Sequence, residues 1–242
     1  MAWSMQEEDA LSVTQLLDIA EDVEEVKTIY STFIARYGFK SWAIMQFSNP
    51  VERPLKERIS VMSWPSDYIQ MRRERPDELH DPVIREAYRT NKPFTWQQAY
   101  MRADKKGKDM MDMAKEFGLD DGLVFPIKSI DTLPGGASIS GDTSGLSQRH
   151  IRLLNLVSIH AYDKLEDLLG PHPFRVNVSL SPREIEVLSH ASAGLTSHDI
   201  GNRLCLSART VEHYCHSART RLKARNLTHA VSRAIGKGLI LP

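Results

Sequence analysis

Three serine or threonine residues near the end of the chain each stand where an apolar helical pattern begins. Ser181 is followed three residues later by Glu184, which is the spacing of a capping box. Thr196 begins a second pattern and Ser207 a third, with Gly194 separating the first two. Caps this close together allow only short helices joined by tight turns. The segment is therefore predicted to fold as a helix-turn-helix.

The third predicted helix has two chemically different faces. Four side chains recur at helical spacing and form an inward stripe: Val211, Cys215, Ala218 and Leu222. Four polar side chains lie on the opposite face near the helix start: Arg209, Glu212, His213 and His216. Such side chains read base edges when a recognition helix enters the major groove of DNA. We therefore expect this face to contact bases.

Other polar residues around the same helix suit the phosphate backbone of DNA. Three hydroxyl side chains are placed to donate hydrogen bonds to phosphates: Thr196, Ser207 and Thr210. Four cations would add a salt-sensitive attraction: Arg219, Arg221, Lys223 and Arg225. A basic helix that merely faces solvent is the alternative interpretation. The capped helices around the basic run favour DNA.

The charge of the chain is divided unevenly between its two parts. The sequence contains 31 basic and 31 acidic residues, so its formal net charge is zero. From Pro171 onward, ten Lys or Arg stand against four Asp or Glu, a net charge of +6, and the preceding part carries −6. A small basic domain joined to a larger acidic one is typical of nucleic-acid binding.

Composition and local pattern exclude several other classes of protein. No apolar run approaches the ~18 residues of a membrane span, and the acidic start lacks the features of a signal peptide, so we expect a cytoplasmic protein without a membrane partner. Cys205 and Cys215 fit a reducing compartment, where cysteines are usually small buried hydrophobes. Cys215 points inward while His213 and His216 face outward, so no zinc site is expected. No nucleophile–base pair stands out, and an enzyme is not predicted.

The region before Gly170 is predicted to contain helices flanking short strands. Two helical patterns open the chain, and the second ends at Gly38. A long amphipathic helix begins after Ser147 and ends at Gly170. Between them the patterns predict strands over 41–47, 58–62, 122–127 and 137–140, a turn over 131–136, and a short helix over 109–117.

These elements predict an α+β protein with two domains. The first, residues 1–170, is expected to be an α/β/α sandwich around an antiparallel sheet. A Pro-containing linker follows over 171–178, and an all-α helix-turn-helix domain occupies 179–242.

The C-terminal domain resembles the LuxR-type helix-turn-helix over about sixty residues. The resemblance is carried by the opening "PRE…VL…A.G", the "DI" of the second helix, "LS..TV" before the third, and the closing "A…A…GLI". Leu195 stands where a lysine is common in that family, and Tyr214 where a histidine often falls. Neither departure disrupts the helix-turn-helix pattern, although the first removes one expected phosphate contact.

The segment from Ser63 to Trp96 resembles the autoinducer-binding domain of quorum-sensing LuxR regulators. The "WP..Y" start, the tripeptide Asp81-Pro82-Val83 and the distance from Asp81 to Trp96 carry the resemblance, and "GLVFPI" and "GASIS" match later strands. Phosphorylated response regulators also carry this helix-turn-helix, but the acidic residues of this chain fall on amphipathic helices rather than at strand ends.

The resemblance implies an N-acyl homoserine lactone as ligand and a homodimer to which the 147–169 helix contributes, with no other cofactor. A buried Asp81 would accept from the ligand's amide N–H, and aromatic N–H or O–H groups would donate to its two carbonyls. The implied pocket residues are Trp64, Tyr68, Arg72, Asp81, Val83, Trp96 and Ser138, with Phe94 as a further wall.

Two alignments of this segment with the family stay open. Without a gap, the family's lactone-facing tryptophan corresponds to Tyr68, the preceding tyrosine to Trp64 and the next tyrosine to Arg72; this version keeps Pro65 in place and is preferred. With a four-residue insertion before Asp81, Trp64 and Tyr68 take the tryptophan and second tyrosine positions.

The expected function is a ligand-responsive DNA-binding regulator of transcription. Two alternatives remain: a regulator that responds to a non-lactone ligand or a partner protein, or acts without ligand, and an enzyme carrying a basic helical tail.

Overall fold

The computed structural model describes residues 5–47, 60–74, 80–128, 134–169 and 179–241, with side chains from residue 9 onward. The chain divides into two compact units: one holds the described residues from 5 to 169 and the other those from 179 to 241. The predicted linker, 171–178, lies outside the described residues, so the proposed domain boundaries stay predictions; the first half of the predicted turn, 131–133, lies outside them as well. None of the helices in the described ranges is long and apolar enough to cross a membrane.

The N-terminal unit alternates helices with short strands. In chain order its elements are α1 (Met5–Ile19), α2 (Val23–Ala35), β1 (Ser41–Gln46), β2 (Ser60–Met62), α3 (Ser66–Glu74), α4 (Pro82–Arg89), β3 (Phe94–Thr95), α5 (Trp96–Arg102), α6 (Lys105–Lys115), β4 (Gly122–Ile127), β5 (Gly135–Ser140) and α7 (Gln148–Leu168).

The strands form one antiparallel sheet in the order β2-β1-β5-β4-β3. One face packs against α1, α2 and α7, and the other packs against α3, α4, α5 and α6. Leu123 and Phe125 of β4 belong to the first apolar cluster, whereas Val124 between them belongs to the second. Because both faces are covered, β4 is buried throughout and shows no apolar–polar alternation. The predicted α/β/α sandwich is confirmed.

Several predicted boundaries in this unit were wrong. Helix α6 begins at Lys105 rather than at 109, because the Asp104 side chain accepts from Gly107 N and caps the helix there. Gly135 and Gly136, predicted in a turn, begin strand β5. A Cβ at Gly135 would lie 2.5 Å from the Tyr162 ring, so close approach of α7 accounts for this glycine.

The C-terminal unit is wholly helical, with α8 (Pro182–Ser192), α9 (Ser197–Leu204), α10 (Ala208–Arg221) and α11 (Leu227–Gly236). Ser181, Thr196 and Ser207 cap α8, α9 and α10 as predicted, and Gly194 follows α8 with a φ of +82°. A Cβ at Gly201 would lie 2.6 Å from the Leu206 carbonyl oxygen, because α9 and the turn before α10 approach closely. The predicted helix-turn-helix is confirmed.

The core of this unit is built from all four of its helices. Val187 and Leu188 are the buried apolar residues of α8, whereas Ile185 and Ala191 are half-buried. Helix α11, which begins after its cap Asn226, was not predicted; it buries Ala230 and Ala234 against the same core.

Candidate functional site: ligand pocket and nucleic-acid interface

A cavity of about 820 Å³ lies in the N-terminal unit between the sheet and helices α3 to α6. Seven of the side chains implied by the family resemblance line it: Trp64, Tyr68, Arg72, Asp81, Val83, Trp96 and Ser138. Phe94 is not among the described residues that line the cavity; it is buried in the adjacent apolar cluster. A volume of this size is ordinary for a site that encloses a small organic molecule.

Asp81 enters the cavity from the start of helix α4. Its Oδ1 accepts from Val83 N at 2.9 Å and Ile84 N at 3.2 Å, which makes Asp81 the cap of that helix, and Pro82 takes the first helical position. Its Oδ2 accepts from Arg72 Nη2 at 2.8 Å. The Asp81 and Arg72 side chains are only 16% and 18% exposed. Helix capping therefore fixes one carboxylate oxygen, and the second keeps one accepting direction beside the Arg72 bond.

Trp64 and Tyr68 form an aromatic pair on the cavity wall, with ring centroids 5.4 Å apart. The Trp64 indole Nε1 is buried and has no hydrogen-bond partner among the described residues. A buried N–H left without an acceptor costs free energy, so a ligand oxygen there would be favourable. This property supports the alignment with the insertion, in which Trp64 takes the lactone-facing position, over the preferred ungapped one. The residues around that insertion, 75–79, lie outside the described ranges.

Tyr68 is 6% exposed. Burial raises the pKa of its hydroxyl, and the positive charge of the nearby Arg72 guanidinium acts in the opposite direction. Trp96 differs from Trp64, because its Nε1 donates to Ser138 Oγ at 2.9 Å. The Trp96 ring also packs over Gly122, where a Cβ would lie 2.6 Å from the ring. Trp96 therefore contributes a fixed apolar wall, held by β4 and β5.

Much of the apolar lining was not predicted from the sequence. Four methionines line the cavity, together with aromatic and aliphatic neighbours: Met45, Met62, Met110, Met111, Phe47, Tyr100, Ala114, Leu119 and Val124. Methionine is flexible and packs well against irregular apolar surfaces and aromatic rings. The amphipathic pattern of α6 was the available signal for Met110, Met111 and Ala114.

The charged groups that line the cavity are either paired or exposed to solvent, and Arg73 and Asp120 are the exposed ones that form no ion pair with the described residues. Arg72 bonds Asp81 within it, Lys27 bonds Glu24 at 2.8 Å on α2, and Lys115 bonds Asp112 at 2.7 Å on α6. An unpaired ionic group on a ligand would have to give up its hydration without a matching charge. The arrangement therefore suits an uncharged molecule with a few polar atoms and an apolar part.

The predicted faces of α10 are both confirmed by burial. Val211, Cys215, Ala218 and Leu222 are buried, whereas Arg209, Glu212, His213 and His216 are all exposed. Cys205 is exposed, contrary to the expectation of a buried thiol, because it ends α9 in the left-handed conformation with a φ of 55°. In the described ranges, no group of three or more His, Cys, Asp or Glu is placed to hold a metal ion.

The hydroxyl groups predicted to meet phosphates also cap helices. Thr196 Oγ1 donates to Asp199 Oδ2 at 2.6 Å, and the hydroxyls of Ser207 and Thr210 lie 2.8 Å apart. The Thr196 hydroxyl hydrogen is therefore already engaged within the protein. Ser207 and Thr210 share one hydrogen bond, so the pair retains a hydrogen for a phosphate oxygen.

The cations predicted to meet phosphates are not equivalent. Lys223 and Arg225 are exposed beyond the end of α10, and Lys223 has a φ of 50°. Arg219 is half-buried and donates to the Arg225 carbonyl oxygen at 3.3 Å. Arg221 Nε lies 3.2 Å from Glu184 Oε1, and its Nη1 donates to the Ser179 carbonyl oxygen. Arg221 therefore stabilises the packing of α10 against α8.

Glu184 is the acidic centre of that packing and is 2% exposed. Its Oε2 accepts from Ser181 N at 2.6 Å, and its Oε1 accepts from Ser217 Oγ at 2.6 Å. Burial opposes the charge on this carboxylate, but the hydrogen bonds from Ser217 and Ser181, together with the Arg221 guanidinium, hold the pKa of Glu184 below its usual range.

A cavity suited to an uncharged small molecule in one unit and a helix-turn-helix in the other define a ligand-responsive DNA-binding regulator. Residues 22–165 match the family described as the autoinducer binding domain, and residues 178–234 match the bacterial regulatory proteins of the luxR family. The chain belongs to the LuxR family of quorum-sensing transcriptional regulators.

Two relatives align along almost the whole chain. The quorum sensing-dependent transcriptional regulator RpaR of Rhodopseudomonas palustris is 34% identical over 242 residues, covering 96% of this chain and 98% of its own. The transcriptional activator BjaR1 of Bradyrhizobium diazoefficiens is 28% identical over 236 residues, covering 97% of each chain.

Solved structures share the fold at lower identity. Escherichia coli SdiA matches with a TM-score of 0.68 and 19% identity, over 97% of this chain and 99% of its own. A structure of SdiA in complex with octanoyl-rac-glycerol matches with a TM-score of 0.69 and 18% identity, over 99% of this chain and 98% of its own.

Proposed function

We propose that the ligand of this regulator is an N-acyl homoserine lactone, held in the cavity of the N-terminal unit. The observation that carries the proposal is that two complementary groups line the same cavity: the accepting oxygen Asp81 Oδ2, and the donor Trp64 Nε1, which has no hydrogen-bond partner among the described residues. The ligand's amide N–H would bond Asp81, its lactone carbonyl Trp64, and its acyl carbonyl the Tyr68 hydroxyl. Val83, Trp96 and the methionine-rich lining would enclose the acyl chain, with Ser138 beside Trp96.

The ligand would act on the protein through stability and assembly. A molecule that binds only the folded state stabilises it in proportion to its concentration above Kd. We propose a homodimer, to which α7 contributes, so that two α10 helices meet half-sites about one helical turn apart. In the DNA complex, base edges would be contacted by Arg209, Glu212, His213 and His216. Phosphates would be met through Ser207, Thr210, Lys223 and Arg225, with smaller contributions from Thr196, Arg219 and Arg221. Such a protein works in the cytoplasm and catalyses no reaction.

Thermal unfolding of the full chain in the presence of a panel of acyl homoserine lactones tests whether the ligand belongs to this class. At ~100 times its Kd a ligand adds about 2.7 kcal/mol, which raises Tm by several degrees. Asp81→Asn keeps an oxygen for the α4 cap but places an amide N–H₂ where Oδ2 accepts, so it should abolish most of the shift. Asp104→Asn is the matched control, because Asp104 caps α6 in the same manner outside the cavity lining. An equal shift in wild type and Asp81→Asn would reject this site.

A second candidate ligand is an acylglycerol, since one structural neighbour is SdiA in complex with octanoyl-rac-glycerol. Such a molecule has an ester carbonyl and hydroxyl groups but no amide N–H. A hydroxyl hydrogen can also reach Asp81 Oδ2, so the same cavity accommodates either chemistry. Stabilisation by octanoylglycerol with a flat lactone panel would favour this candidate.

A further inference from the structure

The C-terminal unit contains four acidic residues, and three of them have partners within the unit. Glu184 accepts hydrogen bonds between α8 and α10, and Glu186 forms an exposed ion pair on α8. Asp199 accepts from Thr196 and completes the cap of α9. The fourth, Glu212, forms no hydrogen bond or ion pair with any residue that the structure describes. Its carboxylate is therefore available to a partner outside the protein chain.

Glu212 lies on the face of α10 that is proposed to contact bases. This face also carries Arg209, three residues earlier, and His216, four residues later, and all three side chains are exposed. An arginine and a glutamate at this spacing can form an ion pair on a helix surface, but Arg209 and Glu212 do not pair. Val211 and Cys215 are buried on the other side of the helix, so a rotation that moved Glu212 away from DNA would expose them.

A carboxylate on this face lowers the affinity for DNA in general. Duplex DNA carries one negative charge per ~1.7 Å of its axis, and cations on the protein supply the sequence-independent attraction. Glu212 is the acidic residue of α10, whose arginines are Arg209, Arg219 and Arg221. Its charge repels the phosphates and reduces the attraction that these arginines provide. A favourable contact with a base is needed to offset this repulsion.

The base edges that a carboxylate can contact are limited. An ionised carboxylate accepts hydrogen bonds and donates none. In the major groove, cytosine presents its N4 amino group and adenine its N6 amino group, whereas guanine and thymine present acceptors alone. An amino group opposite Glu212 would form a charge-assisted hydrogen bond. A guanine or thymine acceptor in that position would leave the carboxylate desolvated and without a donor.

We propose that Glu212 is a specificity-determining residue that selects cytosine or adenine at one position of each DNA half-site and rejects other sequences. The carboxylate weakens binding to DNA of arbitrary sequence, and the amino group of the correct base restores the affinity at the preferred site. This inference rests on the proposed entry of α10 into the major groove and specifies which base chemistry the helix selects.

Selection from a library of DNA duplexes with a randomised central segment identifies the site that the full-length wild-type chain prefers. We expect cytosine or adenine at one position of each half-site. Glu212→Gln preserves the shape of the side chain but removes its charge, and its amide donates as well as accepts. Guanine and thymine should therefore become acceptable to this variant at that position, while the preferences at the other positions stay unchanged.

Fluorescence anisotropy then compares the selected duplex with a scrambled duplex of the same length and composition, under identical ligand conditions for every variant. Glu212→Gln should bind the scrambled duplex more tightly than the wild type does. The ratio of its affinities for the two duplexes should be about tenfold lower than that of wild type, equivalent to ~1.4 kcal/mol. Its Tm should equal that of wild type, because Glu212 has no partner within the described chain to lose.

Glu186→Gln is the matched control, because it removes one negative charge from the same unit at an exposed position on α8. A general effect of charge would strengthen binding to both duplexes equally and leave their ratio unchanged. The proposal is refuted if Glu212→Gln behaves like this control. It is also refuted if the wild type and Glu212→Gln select the same bases at every position.

The proposed DNA interface can fail separately from the role of Glu212. If Arg209→Ala loses selective binding and Glu212→Gln keeps the wild-type ratio, the interface stands and the role of Glu212 is wrong. If both variants bind the selected duplex as the wild type does, α10 does not contact bases, and the interface and this inference are both rejected.

Discussion

Replacing Glu184 with glutamine should destabilise the helix-turn-helix, although the substitution preserves the shape of the side chain. The carboxylate accepts from Ser181 N and from Ser217 and Arg221 through two different oxygens. Glutamine has one accepting oxygen, so its amide N–H₂ must face a donor at one end of the side chain. The buried position, 2% exposed, prevents water from replacing the lost bond.

The magnitude of this effect follows from the contacts. A hydrogen bond that involves a charged group contributes about 1.5–3 kcal/mol when buried. Arg221 is 49% exposed, so solvent screens its part of the interaction and favours the lower half of that range. We expect a loss of about 2 kcal/mol in the free energy of unfolding of the C-terminal unit. That loss corresponds to roughly thirtyfold faster exchange of the amides protected by unfolding of the unit.

Hydrogen–deuterium exchange of peptides from α8 and α10 in the full-length protein measures the loss without requiring the unit in isolation. Glu186→Gln is the control, since Glu186 forms an exposed pair with Arg183 on the same helix and should change exchange little. A change of less than twofold in Glu184→Gln would refute the reasoning.

The difference in stability between wild type and Glu184→Gln should also depend on pH. The sign of that dependence follows from the lowered pKa of Glu184. A carboxylate with a pKa lower in the folded state stabilises that state at neutral pH. This contribution is lost as the pH falls below the ordinary glutamate value of about 4.3 and through the folded pKa. The difference between wild type and Glu184→Gln should therefore be largest near pH 7 and shrink on acidification. A difference that grows towards acid pH would contradict the assignment.

Two further expectations concern the C-terminal unit. Arg209→Ala should weaken DNA binding by roughly tenfold or more with unchanged thermal stability, since a base-reading arginine contributes about 1–3 kcal/mol; Arg221→Ala should lower stability as well, and equal behaviour of the two variants would reject the distinction. In the folded protein a thiol reagent near pH 8 should modify Cys205 rapidly and Cys215 slowly, because burial, aided by a nearby glutamate, raises the pKa of the Cys215 thiol. Mass spectrometry of the labelled peptides measures which thiol reacts first. Faster labelling of Cys215 would contradict its burial on the inward face of α10.

Features that depend on neighbours in sequence were predictable. The caps Ser181, Thr196 and Ser207 bond backbone N–H groups within three residues, so their spacing was sufficient to predict α8, α9 and α10. The inward stripe of α10 followed from helical periodicity alone. Asp81-Pro82 carried the same cap signal for α4, but a helix of eight residues offers little periodicity, and the signal was interpreted through the family resemblance instead.

Features that depend on the folded chain were not predictable in this way. The pairing of Arg72 with Asp81 crosses from α3 to α4, and the contact with Met110 reaches α6. The burial of Glu184 by Arg221 and Ser217 joins α8 to α10. In each case the chemical role of a residue is set by a partner many positions away. The sequence alone therefore identified the polar residues of both sites but not which of them remain available to a ligand.

A crystal structure of the protein grown with an acyl homoserine lactone tests the central claim most directly. We expect the ligand in the cavity between the sheet and helices α3 to α6, with its amide nitrogen within about 3.2 Å of Asp81 Oδ2 and a carbonyl oxygen equally close to Trp64 Nε1. A lactone bound elsewhere, or one in the cavity with its amide turned away from Asp81, would contradict it.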